Sequence, residues 1–348
     1  MVNEVFKGAK IKMDSVITLS HGSGGLKTQK LINDLFLKYF HSDAMNQGDD
    51  CARLKITANN NLVFTTDSFV VTPIFFNGGN IGKLAVCGTV NDICTSGAVP
   101  LYLSCGFIIE EGLSIGDLEI IVRSMADTAK ECGVQIVTGD TKVVQKGACD
   151  KLFINTSGIG IIPEGVSISG KNAKIGDQVI ITGTIGDHGS SIFLEREDMG
   201  LSADLKSDCA PMNGIVSSIL EISDEVHVLR DPTRGGVATT LNEIAAQSNV
   251  TIMLDEQKLP IKQQVAGVCE LLGMDPLYMA NEGKLLIFVS PEEAPKVLER
   301  IRQCRYGSDA CIIGSVVESD KAAVKLKSLS GGVRVINVLT GDQLPRIC

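Results

Sequence analysis

The sequence has no surplus of basic side chains: 32 Lys and Arg stand against 41 Asp and Glu, a net charge of −9. Without a basic face, wide contact with a phosphate backbone is excluded, and nucleic acid is not an expected partner. No stretch reaches the roughly 18 apolar residues of a membrane span, and the opening MVNEVFKGAKIKMD has no apolar core behind a basic end. No membrane contact is expected, and the expected location is the cytoplasm. The eleven cysteines form no C-x-x-C pair, and their odd number fits neither a disulfide framework nor a zinc site. In the cytosol most should be reduced thiols. A dinucleotide GxGxxG is also missing. Gly165-VSIS-Gly170-Lys171 has the Walker A spacing, but Asn172 stands where Ser or Thr would hold Mg²⁺.

What is present is a folded chain of 348 residues, 44% hydrophobic and 21% charged, too long for one ordinary core. Two domains follow, and both read as α/β. The spacing predicts a helix over 26–40, and a strand near 62–66 follows it. Asn80 caps a helix to about Thr95, and Ser114 with Asp117 opens another that stops at Gly133. YLSCGFII, QIVTGD and LFINTSGIGII read as strands. PEGVSISGKNAKIG has the composition of a connection, which divides the chain into 1–165 and 166–340. In the second part QVIITG, TIML, KLLIFV and ACIIGSVV read as strands. Helices are expected after Asp187 and Pro211 and over GVATTLNEIAAQ and EEAPKVLERIRQC. The last residues, 341–348, are too short and polar to add an element and read as a mobile tail ending in Cys348.

Acidic residues gather where strands or helices end. Asp50, Asp67, Asp92 and Asp140 together suit a hard cation such as Mg²⁺, although each alone reads more readily as a cap or turn residue. Phosphate needs backbone N–H donors, which glycine-rich turns supply. HGSGG, with His21, Gly22, Gly24 and Gly25, stands before one helix, and RDPTRGG, with Asp231, before another. Lys142 lies two residues after Asp140, and Glu282 sits where a turn enters a strand.

HGSGG, TVNDICTSGAVPLYLSCGFIIEEGL, TGDTKVV, RDPTRGG, NEG and a terminal PRIC stand in one order over essentially the whole chain. In that order the sequence resembles the HypE family of hydrogenase maturation proteins. The family lies in the superfamily of aminoimidazole ribonucleotide synthetase, selenophosphate synthetase and thiamine-phosphate kinase. The resemblance implies a two-domain PurM-like fold of α/β (α+β) class, with N-terminal domains of two subunits pairing into an intersubunit β-barrel. It implies ATP and Mg²⁺ in a cleft between subunits and domains of a homodimer. A HypF-type carbamoyltransferase would load a carbamoyl group on Cys348. ATP-dependent dehydration would then give a thiocyanate, and the cyanide would pass to iron on a HypC–HypD complex.

On this resemblance Asp50, Asp67, Asp92 and Asp140 bind metal, HGSGG and Asn91 contact phosphate, and Lys142 and Glu282 transfer protons or stabilise oxygen. A mobile tail of about 8 residues spans about 15 Å, enough to carry a thiol out of a cleft to a partner. Two alternatives remain open: another ATP-dependent small-molecule kinase or synthetase, and a non-catalytic thiol carrier or scaffold. Against selenophosphate synthetase stands an HGSGG loop without the Cys or selenocysteine usual there.

Overall fold

The structure is a computed structural model, and it describes residues 15–22, 30–40, 61–196 and 204–338. Gly24, Gly25, Asp50 and Cys348 lie outside the described residues, as does the tail from 341 on. A π-helical turn, Ile32–Phe36, runs into α1, Leu37–Tyr39.

The first half builds a four-stranded sheet from β1 (Asn61–Phe69), β4 (Val99–Glu110), β5 (Gln135–Val144) and β6 (Leu152–Ile162), in the order β1-β6-β4-β5. Its neighbours pair antiparallel except β4 with β5. The small β2 (Phe75–Phe76) and β3 (Gly79–Asn80) form a separate ribbon. Two helices cover one face of the large sheet. The first, α2 (Ile81–Cys94), starts where Asn80 Oδ1 accepts from the N–H groups of Gly82 and Lys83. The second, α3 (Ile115–Cys132), starts where Ser114 accepts from Asp117 N–H and stops at Gly133, whose φ of 72° a side chain would strain. Strand alternation sends Val63, Thr65, Asp67 and Phe69 toward the helices. The opposite face carries Leu62, Phe64, Thr66 and Ser68 and stays open; Phe64 is 66% exposed.

No strand falls between Ile162 and Gln178. The second half then builds a seven-stranded sheet, order β13-β12-β9-β11-β7-β10-β8. Its strands are β7 (Gln178–Ile181), β8 (Val226–Arg230), β9 (Thr251–Asp255), β10 (Leu286–Val289), β11 (Cys311–Val317), β12 (Ala323–Lys327) and β13 (Val333–Ile336). The helices are α4 (Asp187–Arg196), α5 (Asn213–Leu220), α6 (Gly236–Ser248), α7 (Gln263–Leu272) and α8 (Ala294–Gln303). Four of these elements, β8, α7, β12 and β13, go beyond the sequence expectation. The last two strands form a hairpin closed at Ser328–Gly332, where Ser328 N–H donates to Gly332 O at 2.7 Å.

Each half has its own sheet, and the second half has buried clusters of its own, yet the largest cluster spans both. One buried cluster runs from α2 and α3 through Met212, Ile215 and Ile219 of the α5 region to Val297 and Ile301 of α8. The halves are therefore joined by packing as well as by chain.

The seating of α2 depends on missing side chains. A Cβ at Gly88 would lie 2.8 Å from the Phe69 ring, and one at Gly160 would lie 2.4 Å from Ile93. Ala at position 88 would gain about 1 kcal/mol of helix propensity but overpack the contact by about 1–3 kcal/mol. Gly88→Ala is expected to be net destabilising by about 1 kcal/mol; urea unfolding at or above the wild-type midpoint would contradict this seating.

A candidate active site where the two halves meet

Three carboxylates face one another across the junction. Asp67 comes from β1 and Asp92 from the last turn of α2; Asp231 follows β8 in the second half. Gly88 lets α2 lie close enough that its missing Cβ would stand 3.7 Å from Asp67 Oδ2. Thr65 Oγ1 donates to Asp92 Oδ2 at 2.9 Å and fixes that rotamer. Burial, then the Asp231 charge, push the Asp92 carboxyl up to about 7, and Asp67 adds to the effect. Burial likewise raises Asp67 and Asp231, while Arg234 beside Asp67 and Arg230 beside Asp231 oppose the rise. Desolvated like charges of this kind call for a cation.

The donor set is oxygen only, which suits Mg²⁺ chemically. Among the described residues, however, no three such side chains converge as a formed metal cage. Asp50 is outside the described residues, and Asp140 does not join Asp67 and Asp92 within the chain. Asp140 lies on β5, paired with Gly106 of β4, three strands from β1, or on the order of 14 Å across the sheet. It points to the open face, 70% exposed, with Lys142 Nζ 3.5 Å away.

The loops around the cluster are wired together. Asn281 Oδ1 accepts from Gly186 N–H at 2.7 Å, and its Nδ2 donates to Pro232 O and Met279 O. This draws the RDPTRGG and NEG segments together. Gly236, with φ of 60°, permits the contact, since a Cβ there would lie 2.5 Å from both Leu277 O and Met279 O. Glu282 is buried beside this knot. Asn91 is buried too, but its amide is engaged by backbone: Nδ2 donates to Ala210 O and Glu282 O, and Oδ1 accepts from Met212 N–H. The sequence suggested a phosphate contact there; the structure commits the side chain to joining the halves.

His21 is buried in the turn Leu19–Gly22, its Nδ1 accepting from Thr18 N–H at 3.0 Å. That turn packs against β5, so the first residues of HGSGG stand on the side of Asp140 and Lys142. The sequence reading missed Asn281, Asp208 and Lys284, although Asn281 opens the quoted NEG and Lys284 opens KLLIFV. Arg230 and Arg234 flank the noted Asp231 in a segment already marked as a loop.

The raised Asp92 carboxyl has a signed consequence. Its folded pKa lies above its unfolded value, so ionisation costs stability as pH rises from about 4 to about 7, and the cost is complete above that. Metal-free Asp92→Asn is therefore expected to melt at or above wild type at pH 8, by roughly 2–4 °C, with no gain at pH 4. A lower melting point at pH 8 would show that Asp92 carries no such repulsion.

Comparison with known proteins agrees with this arrangement. Residues 48–162 match the family model "AIR synthase related protein, N-terminal domain", and residues 174–327 match its C-terminal counterpart. The chain is 47% identical to "Carbamoyl dehydratase HypE" of Rhizobium leguminosarum bv. viciae over 100% of both chains. Its fold matches a solved structure of HypE in complex with ATP with a TM-score of 0.91 and 48% identity, covering 95% of this chain and 99% of that one. A HypE–HypF complex matches with a TM-score of 0.78 at 48% identity, covering 89% and 99%. With both halves of a PurM-like α/β fold in place and full-length identity near one half, this chain belongs to the carbamoyl dehydratase HypE family of AIR synthase related proteins.

Proposed function

We propose that this chain dehydrates an S-carbamoyl group carried on Cys348 to a thiocyanate at the expense of ATP, supplying cyanide for the iron of [NiFe]-hydrogenase. The observation that supports the reading is the hydrogen bond of Asn91 Nδ2 to the Glu282 carbonyl, which ties a buried acidic residue to the end of the helix bearing Asp92. In the reaction R–S–C(O)NH₂ plus ATP gives R–S–C≡N, ADP and phosphate. The carbamoyl oxygen leaves as phosphate because oxide is too poor a leaving group, and two nitrogen protons must be removed.

Glu282 would accept a proton from that nitrogen, and its burial would keep competing water away. Asp67, Asp92 and Asp231, with Asp50, would hold Mg²⁺. That ion neutralises phosphate charge when bound. The HGSGG loop supplies donors for phosphate. Lys142 stabilises the oxygen that is phosphorylated, from the outward face of β5. Pairing of the open sheet face with a second copy accounts for this placement. It would cover Phe64 and Leu62, 66% and 48% exposed in one chain, and bring Asp140 and Lys142 to a cleft between subunits. The homodimer, a HypF-type partner that loads the thiol, a HypC–HypD complex that takes the cyanide, and a cytoplasmic site of action complete the reading. Among the described residues no helix is long and apolar enough to cross a membrane.

The point where the final segment begins supports the carrier role. Asn337 O accepts from Tyr278 Oη at 2.8 Å, and Ile336 O accepts from Asn242 Nδ2 at 3.0 Å. Tyr278 lies four residues before Glu282. Ten residues then lead to Cys348, and ten residues of chain can reach at most about 35 Å.

Two outcomes follow. After incubation with HypF, carbamoyl phosphate and Mg·ATP, intact mass and peptide mapping are expected to find a carbamoyl adduct on Cys348 that loses one water, and no adduct on Cys348→Ala. Loading of that variant at another cysteine would sink the carrier role, and an adduct that never loses water would sink the dehydratase. Phe64→Glu is expected to halve the mass in light scattering; an unchanged mass would show that the open face is not the subunit contact.

A further inference from the structure

The backbone of Glu282 is held on both sides of its Cα, by different halves of the protein. Its N–H donates to Asp208 Oδ1 at 3.2 Å, and its carbonyl accepts from Asn91 Nδ2 at 3.3 Å. Asn91 has no freedom to turn, because Ala210 O and Met212 N–H take its remaining positions at 3.1 and 2.8 Å.

Behind this clamp lies a buried ion pair. Asp208 and Lys284 side chains are 2% and 9% exposed, with Nζ 3.4 Å from Oδ2. That distance is charge contact without an aligned hydrogen bond, since Oδ2 has no hydrogen-bond partner among the described residues and Nζ donates to Gly283 O at 3.2 Å. Such a pair is poor value as stabilisation, because desolvating two charges tends to cost more than their attraction returns. Its better-attested use is to fix a geometry. Here the geometry is that of residues 282–284, each anchored through backbone or charge. Gly283 tightens the same knot: a Cβ would lie 1.9 Å from Asp208 O, so the two strands of chain touch with no room for a side chain.

We propose that Asn91, Asp208 and Lys284 are positioning residues that hold Glu282 in register with the Asp92 end of α2, so that proton transfer and nucleotide binding occur in one alignment. The proposal rests on the reading of Glu282 as the proton acceptor. It assigns these three residues no contact with the reacting atoms.

The test compares Asn91→Ala, the charge-neutral double variant Asp208→Asn/Lys284→Met, and Glu282→Gln in the full chain, loaded at Cys348 by HypF. Two quantities are read: the apparent KM for ATP, and the first-order rate of water loss by mass. Each positioning variant is expected to keep KM within about twofold while slowing water loss roughly tenfold to a hundredfold, the loss a small misplacement causes. Combined with Glu282→Gln, neither should slow the reaction further, because there is no carboxylate left to position.

Wild-type rates in a folded positioning variant, with Glu282→Gln slow, would overturn the clamp and leave the role of Glu282 standing. Additive slowing on the Glu282→Gln background would overturn it as well. Glu282→Gln at the wild-type rate would remove the underlying reading and the clamp together. Should Asn91→Ala fail to fold, the neutral pair, which leaves no unpaired buried charge, decides the matter by the same readings.

Discussion

The arrangement depends on how closely α2 lies on its sheet. A helix packed on a sheet through ordinary side chains stands off by their length, and here that length is removed at the contact by Gly88 on the helix and Gly158 and Gly160 on β6. The approach lets Thr65 of β1 reach Asp92 directly. It also sets where Asn91, the preceding residue, meets the second half. A helix held farther away would deliver neither side chain to the junction.

The second half answers with loops instead of elements. Asp231, the Asn281 knot and Glu282 all lie in segments between strands and helices, and they are held by side-chain bonds to backbone. Beneath these loops lie the second half's own cluster, with Val228, Val237 and Leu277, and the larger cluster in which α2 and α3 pack with α5 and α8. The carboxylates therefore face one another on a rigid frame that cannot relax their repulsion by moving apart. The raised Asp92 carboxyl reflects first its burial at that junction and then the charge of Asp231.

Much of this was legible in the residues, but only where the cause is local. Caps at Asn80 and Ser114 and the stop at Gly133 are written within a few residues of the elements they bound. The hairpin of β12 and β13 was also written locally, in a Gly-Gly turn between alternating Val, Leu and Ile, and it went unread. So did α7, whose Val265, Val268, Cys269 and Leu272 keep helical spacing around an interrupting Gly267. Other features have no local trace. Asn91 and Glu282 are 191 positions apart. The separation of Asp140 from Asp67 follows from strand order, which no stretch of the sequence states. Acidic strand ends looked alike in one dimension, and the sheet sends them to opposite faces.

The remaining cysteines take on a meaning in this setting. Cys87, Cys94, Cys105 and Cys132 are buried and held above their ordinary pKa by desolvation, and Cys269 is pushed up to about 11. A thiol must ionise and be reached before it can attack an acyl donor, and the fold denies these five both conditions. The fold thus withdraws these five from competition with an acceptor thiol outside the core, while Cys149, Cys304 and Cys311 are only half-buried.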